Sequence, residues 1–160
     1  YENSIIPAKL SMYLSDEDCN IKRICLLFIA LIYKQKQETR TNPEQIIDLL
    51  HYEDDISTIK VDSKSSVRYY ASVSLNEIVK SDRKIIKVMV PSGLFEAIDD
   101  VFEKSSFDVK FNLIEILEEA VLYGCKEFKK ILIENGFISY FNRMIGLGNE
   151  DQLCKIIEVF

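Results

Sequence analysis

The sequence predicts an all-α chain built from stacked helical repeats, and three observations predict it. Breakers are scarce: 160 residues contain five Gly, three Pro and no Gly/Ser-rich or Pro-rich stretch. That leaves little room for the many turns of a hairpin-built fold. Apolar residues recur at helical spacing. Two segments, Asp82 to Ala120 and Cys125 to Phe160, also align with each other. Each opens with a short amphipathic helix that stops at a glycine, and Gly93 and Gly136 stand 43 residues apart, a spacing typical of helical repeat arrays.

Composition narrows the function classes. Apolar residues make up 48% and charged residues 29%, which suits one globular domain with its own core. The formal charge of −6, from 26 acidic and 20 basic side chains, argues against nucleic acid, because neutralising phosphates needs a basic surface. Four cysteines occur, Cys19, Cys25, Cys125 and Cys154, without a CxxC pair, and the single histidine, His51, has no Cys or second His near it. No metal site is therefore expected. Cys25 lies in an apolar run and reads as a small core hydrophobe. Reduced thiols in the cytoplasm, with the nucleus as a second compartment, are the simplest account, and a disulfide stays open. The longest apolar run, Ile24 to Tyr33, has ten residues. A membrane span needs about 20, so this segment reads as a core helix and no membrane partner is expected. The chain starts at Tyr1 without an initiator Met or a signal peptide, and reads as a piece of a longer protein.

The elements follow in order. Ser4 to Leu14 is expected to be the second helix of an incomplete leading repeat. Ser15-Asp16-Glu17-Asp18 caps a long helix through Ile21 to Lys34, with acids suited to its N-terminus. Asn42-Pro43-Glu44 reads as an N-cap with Pro at the first helical position, opening a helix through Ile46, Ile47 and Leu50. His51 to Lys64 is polar, and Ile56, Ile59 and Val61 make only a ragged stripe, so a degenerate helix or a partly disordered loop is expected there. Val67-Arg68 matches Val109-Lys110 at an offset of 42. This puts Tyr70, Ala71, Val73, Leu75 and Ile78 on a third helix. After Gly93 come a second helix (Leu94, Ile98, Val101, Phe102), a polar turn at Ser105-Ser106 and a third helix (Val109, Leu113, Ile116, Leu117, Ala120). After Gly136 the same order begins with Phe137, Ile138, Phe141 and Ile145 and turns at Gly148-Asn149. Both glycines suit a left-handed cap, where a Cβ would be strained.

A short helix, a glycine, a second helix, a polar turn and a long third helix together resemble the armadillo repeat. The residues that carry the resemblance are VMVPSGLFEAIDDVF (Val88 to Phe102), ILIENGFISYFNRMI (Ile131 to Ile145) and VRYYASVSLNEIV (Val67 to Val79). It covers residues 65–160 closely and 1–64 loosely. HEAT repeats lack the separate first helix and the glycine. The resemblance implies a single domain over residues 1–160 with about three to four repeats, incomplete at both ends and part of a longer solenoid. It further implies a right-handed α-α superhelix, like those of importin-alpha and beta-catenin, whose third helices line a concave groove. Such proteins bind peptides or partner domains and have no enzymatic activity, in keeping with a stack that offers a long surface rather than an enclosed pocket. Importin-alpha-like members hold cargo with Trp and Asn one turn apart on each third helix. This chain has no Trp, and Leu27 and Leu31, Val73 and Glu77, and Glu115 and Glu119 stand at the matching positions.

Two groups are candidates for binding. Glu115, Glu118 and Glu119, with Glu77 one repeat earlier, are either a solvated polar face or an acidic lining that steers a Lys/Arg-bearing partner. Leu27 and Leu31 lie on a helix that is apolar nearly all round, covered by a preceding part of the protein or exposed where a partner docks. Val73 and Tyr69 complete the candidate face. Tyr69, Tyr70, Phe107 and Phe111 are expected to pack between repeats, with Tyr69 the best placed to be exposed. Asp54-Asp55, Asp99-Asp100 and His51 carry no catalytic pattern, and there is no P-loop or Gly-rich phosphate cradle. No enzyme activity, cofactor or small-molecule substrate is expected. The expected function is a non-catalytic scaffold for a protein or peptide partner, a basic one if the acidic lining is used. The alternatives are a nuclear-import adaptor of the importin-alpha type, its cargo ladder outside this sequence, and a structural segment of a larger helical assembly.

Overall fold

The computed structural model describes residues 5–35, 41–54, 65–123, 126–134, 136, 139–140 and 142–143. They form α1 (Ile5–Leu14), α2 (Cys19–Lys34), α3 (Pro43–Asp48), α4 (Val67–Ser81), α5 (Ile86–Met89), α6 (Leu94–Phe102), α7 (Phe107–Tyr123) and α8 (Lys126–Glu134), with 3-10 turns at Leu49–His51 and Arg83–Ile85. No strand occurs among the described residues. No described helix is long and apolar enough to cross a membrane.

The helices start where local chemistry satisfies their free N–H groups. The Asp18 carboxylate accepts from the Asn20 amide at 2.8 Å. Asn42 accepts from Glu44 at 3.1 Å, with Pro43 at the first helical position. Ser66 accepts from Tyr69 at 3.0 Å, and Asp82 from Lys84 at 3.0 Å.

Both marked glycines are left-handed, with φ of 85° at Gly93 and 74° at Gly136. Their N–H groups donate to the carbonyls of Val90 and Ile133, each at 3.1 Å, so the two turns repeat in the same register. Nothing lies within 4 Å of where a Cβ on Gly93 would stand, and the cost of a side chain there is backbone strain alone. Gly93→Ala is expected to lose about 1 kcal/mol of stability in urea unfolding. Gly93→Asn, which tolerates this region better, should lose less. Equal stability of all three would show that the left-handed turn does not form.

The expected stripes turn inward. Leu94, Ile98, Val101 and Phe102 of α6 and Val109, Leu113, Ile116, Leu117 and Ala120 of α7 are all buried. On α4, Ala71, Leu75 and Ile78 are buried, whereas Tyr70 and Val73 are half-buried. Cys25 is buried with a free thiol, as its apolar setting predicts, and Cys19 is half-buried and also free. Burial first, and then the Asp16 charge, push the Cys25 thiol up from its ordinary value and keep it protonated. Ser4, Ile56, Ile59, Val61, Cys125, Phe137, Ile138, Phe141, Ile145, Gly148, Asn149 and Cys154 lie outside the described residues.

The helix α4 packs against α2 on one side and α7 on the other. Ser74 Oγ donates to the Leu26 carbonyl at 2.7 Å. Across the other seam, Asn112 Nδ2 donates to Ser72 Oγ at 3.0 Å and Asn76 Nδ2 to Glu115 Oε2 at 2.6 Å, while Arg83 pairs with Glu119 at 2.8 Å. Numbers rise together along both helices, so α4 and α7 run parallel. Being flanked on two sides explains why Ser72, Ser74 and Asn76 are buried despite their polarity; each has a hydrogen-bond partner. The aromatic residues Tyr69, Tyr70, Phe107 and Phe111 are half-buried and pack against the core. Tyr69 meets Tyr70 edge-on at 5.4 Å, and Phe107 stacks on Phe111 at 6.4 Å, each pair within one helix and at the rim of the core.

Candidate partner-binding face

The face is built from the sides of α2, α4 and α7 that the core leaves free. On α2, Cys25, Leu26, Ile29, Ala30 and Tyr33 are buried. Helical spacing turns the alternate set outward. Leu27 and Leu31 are 42% and 44% exposed, and Ile24 and Phe28 are each 54% exposed. The helix is apolar all round because it has two apolar faces, of which the described residues cover one. Ile24 and Phe28 were missed as candidates, although they stand one turn from Leu27 and Leu31. Ile24 and Leu27 also line a shallow cleft of about 250 Å³, with Tyr70, Asn20, Arg23 and Ser65 around it.

Val73 and Glu77 on α4 and Glu115, Glu118 and Glu119 on α7 are half-buried on the same layer of helices, and so is Tyr69, whose ring contacts Tyr70. The four carboxylates are not alike. Glu115 accepts from Asn76 and pairs with Lys80 at 3.0 Å. Glu119 pairs with Arg83, whose guanidinium also stacks over the Tyr123 ring at 3.8 Å. These two are committed to the seam between α4 and α7. Among the described residues, neither Glu77 nor Glu118 has an ion-pair partner. Burial, followed by the charges of Glu119 and Glu115, raises the Glu118 carboxyl above its ordinary value. A raised carboxyl means that ionised Glu118 works against folding at neutral pH, and the effect fades as pH falls through its folded pKa. The face is therefore apolar at α2 and acidic at α7, with Lys80 and Arg83 spent on internal pairs.

Asp54 has a role that its place in a polar stretch did not suggest. Its side chain is 6% exposed and pairs with Arg23 of α2 at 2.6 Å, while its other oxygen accepts from the Val67 amide at 2.7 Å. A carboxylate at that point also complements the N-terminal dipole of α4. Burial alone would lower the Arg23 pKa, but the Asp54 hydrogen bond and charge overcome it and raise the value. Among the described residues, no three His, Cys, Asp or Glu side chains come together as a metal site would need. No family model, curated protein or solved structure matches this chain.

Proposed function

We propose that this chain is a stretch of an armadillo-type right-handed superhelix and acts as a non-catalytic scaffold that holds a protein or peptide across α2, α4 and α7. The single observation that carries the reading is the shared face. Leu27, Leu31, Val73, Glu77, Glu115 and Glu119 all reach the surface of one layer of packed helices, while Leu26, Ala30, Ser74 and Ile116 between them are buried. The register of the two left-handed glycines supports the repeat. Cross-repeat hydrogen bonds joining residues about 40 apart, such as Ser72 to Asn112, support it further. Free carboxylates at the α7 end favour a basic ligand there.

The discriminating variant is Glu77→Lys/Glu118→Lys, because replacing Glu115 or Glu119 would also break the seam. In a pulldown from cell lysate, a partner held by wild type should be lost by this variant. For the wild type, retention should fall with added salt, by roughly tenfold across a range that shortens the screening length. A partner kept by the variant and insensitive to salt would remove the acidic end from the site. A second reading, a structural segment of a larger helical assembly, is favoured by the uncovered apolar stripe on α2.

A further inference from the structure

The seam between α4 and α7 lacks one cation and one hydrogen-bond donor. Glu115, Glu118 and Glu119 stand together on α7, and among the described residues only Lys80 and Arg83 pair with any of them. Glu115 and Glu118 are three residues apart and so share one side of the helix. Asn76 is 4% exposed and donates to Glu115 at 2.6 Å, but no donor among the described residues reaches its Oδ1. A buried acceptor without a donor is a cost that a bound group can remove. The two cations are held differently. Arg83 is fixed from two sides, by Glu119 and by the Tyr123 ring. Lys80 makes one ion pair, at 3.0 Å to Glu115, and its side chain is 41% exposed. It follows Asn76 by one turn on the same face of α4. Helical side chains lean toward the N-terminus, so the Lys80 chain lies across Asn76 and Glu115. Glu118 beside them keeps a carboxyl raised by burial and by Glu119 and Glu115, with Lys80 pulling the other way.

We propose that the place Lys80 fills is the subsite for an arginine side chain of the ligand, with Lys80 as its displaceable internal occupant. The incoming guanidinium pushes the Lys80 ammonium out into solvent. It then donates to Asn76 Oδ1 and Glu115 and brings Glu118 the cation it lacks. A ligand lysine would exchange one ammonium for another and gain little. A guanidinium carries five donors in a planar fork, enough to serve an amide oxygen and two carboxylates at once. Lys80 thereby weakens every basic ligand by the cost of its own displacement, which sets the affinity of the site. The inference rests on the scaffold reading, since it names the group that the acidic end of that face takes.

Fluorescence anisotropy of labelled hexa-arginine and hexa-lysine, titrated with the 160-residue chain, tests this with two probes of equal charge. Wild type should bind hexa-arginine at least about threefold more tightly than hexa-lysine. Lys80→Met should tighten hexa-arginine binding by about threefold or more, because the internal competitor is gone. Lys84→Met removes the same charge from an exposed residue nearby and should tighten it clearly less, which separates displacement from net charge. Glu118→Gln should weaken hexa-arginine by about fivefold. This variant should fold at least as stably as wild type, since it relieves an unfavourable buried charge. Asn76→Leu should weaken binding further, with an unchanged helical circular dichroism spectrum. In wild type the Asn76 side-chain amide resonances should shift on adding hexa-arginine. Lys80→Met no tighter than Lys84→Met, unmoved Asn76 resonances, or no binding of either probe overturns the proposal. Equal affinity for the two probes overturns the preference for arginine. A lysate partner that needs Glu77 and Glu118 but is indifferent to Lys80→Met removes this subsite and leaves the scaffold reading standing.

Discussion

Phe102→Ala is expected to lower the unfolding free energy by about 3–5 kcal/mol, the largest loss of any single substitution considered for this chain. Phe102 is the last residue of α6 and is fully buried. Its ring centroid lies 4.6 Å from that of Tyr140, tilted by 59°, and the Lys110 ammonium of α7 sits 5.4 Å above it. One side chain thus joins α6, α7 and Tyr140, whose hydroxyl donates to the Asp99 carboxylate on α6. Truncation would open a cavity among groups held from several directions, so the surroundings cannot collapse to fill it. Phe102→Leu keeps most of the volume and should lose only about 1–1.5 kcal/mol. Urea unfolding followed by circular dichroism measures both. A loss under about 1 kcal/mol for Phe102→Ala would mean that this packing is absent.

Asp54→Ala is expected to cost about 2–4 kcal/mol. The substitution removes the partner of the Arg23 guanidinium, whose side chain is 17% exposed, and the acceptor of the Val67 amide at the start of α4. Breaking one half of a buried pair costs more than the pair contributes, because the other charge remains without compensation. Asp54→Asn keeps the shape and one acceptor for Val67 but drops the charge, so an intermediate loss is expected. The salt dependence separates the causes: a buried pair is poorly screened, so the difference between wild type and Asp54→Ala should persist at high ionic strength. A neutral Asp54→Ala would show that the Arg23–Asp54–Val67 link contributes nothing to holding α2 against α4.

Several features were legible because nearest neighbours decide them. The Asn42-Pro43 start of α3 and the acidic cap of α2 follow from free amides and a fixed proline φ, and both formed. The left-handed turns at Gly93 and Gly136 follow from the missing Cβ. The stripes of α6 and α7 follow from helical period, and every residue assigned to them is buried. Legibility was poorer wherever a helix has two neighbours. Ser72, Ser74 and Asn76 are polar and carry no apolar signal, yet α4 lies between α2 and α7 and buries them.

The candidate site divides along the same line. That Leu27, Leu31, Val73, Glu77, Glu115 and Glu119 escape the buried stripes, each being exposed or half-buried, could be read from helical spacing. Which of its carboxylates are free could not. Lys80 and Arg83 lie 35 and 36 residues from Glu115 and Glu119, and nothing local to either partner says that they meet. Backbone preference and a period of a few residues were enough to read the helices, their caps and the glycine turns from the sequence. Packing alone ties Glu115 and Glu119 into a seam, makes Asp54 a bridge between two helices, and leaves one apolar face of α2 exposed among the described residues. Pairing across about 40 residues depends on how helices stack, and the energy of a charge depends on what surrounds it.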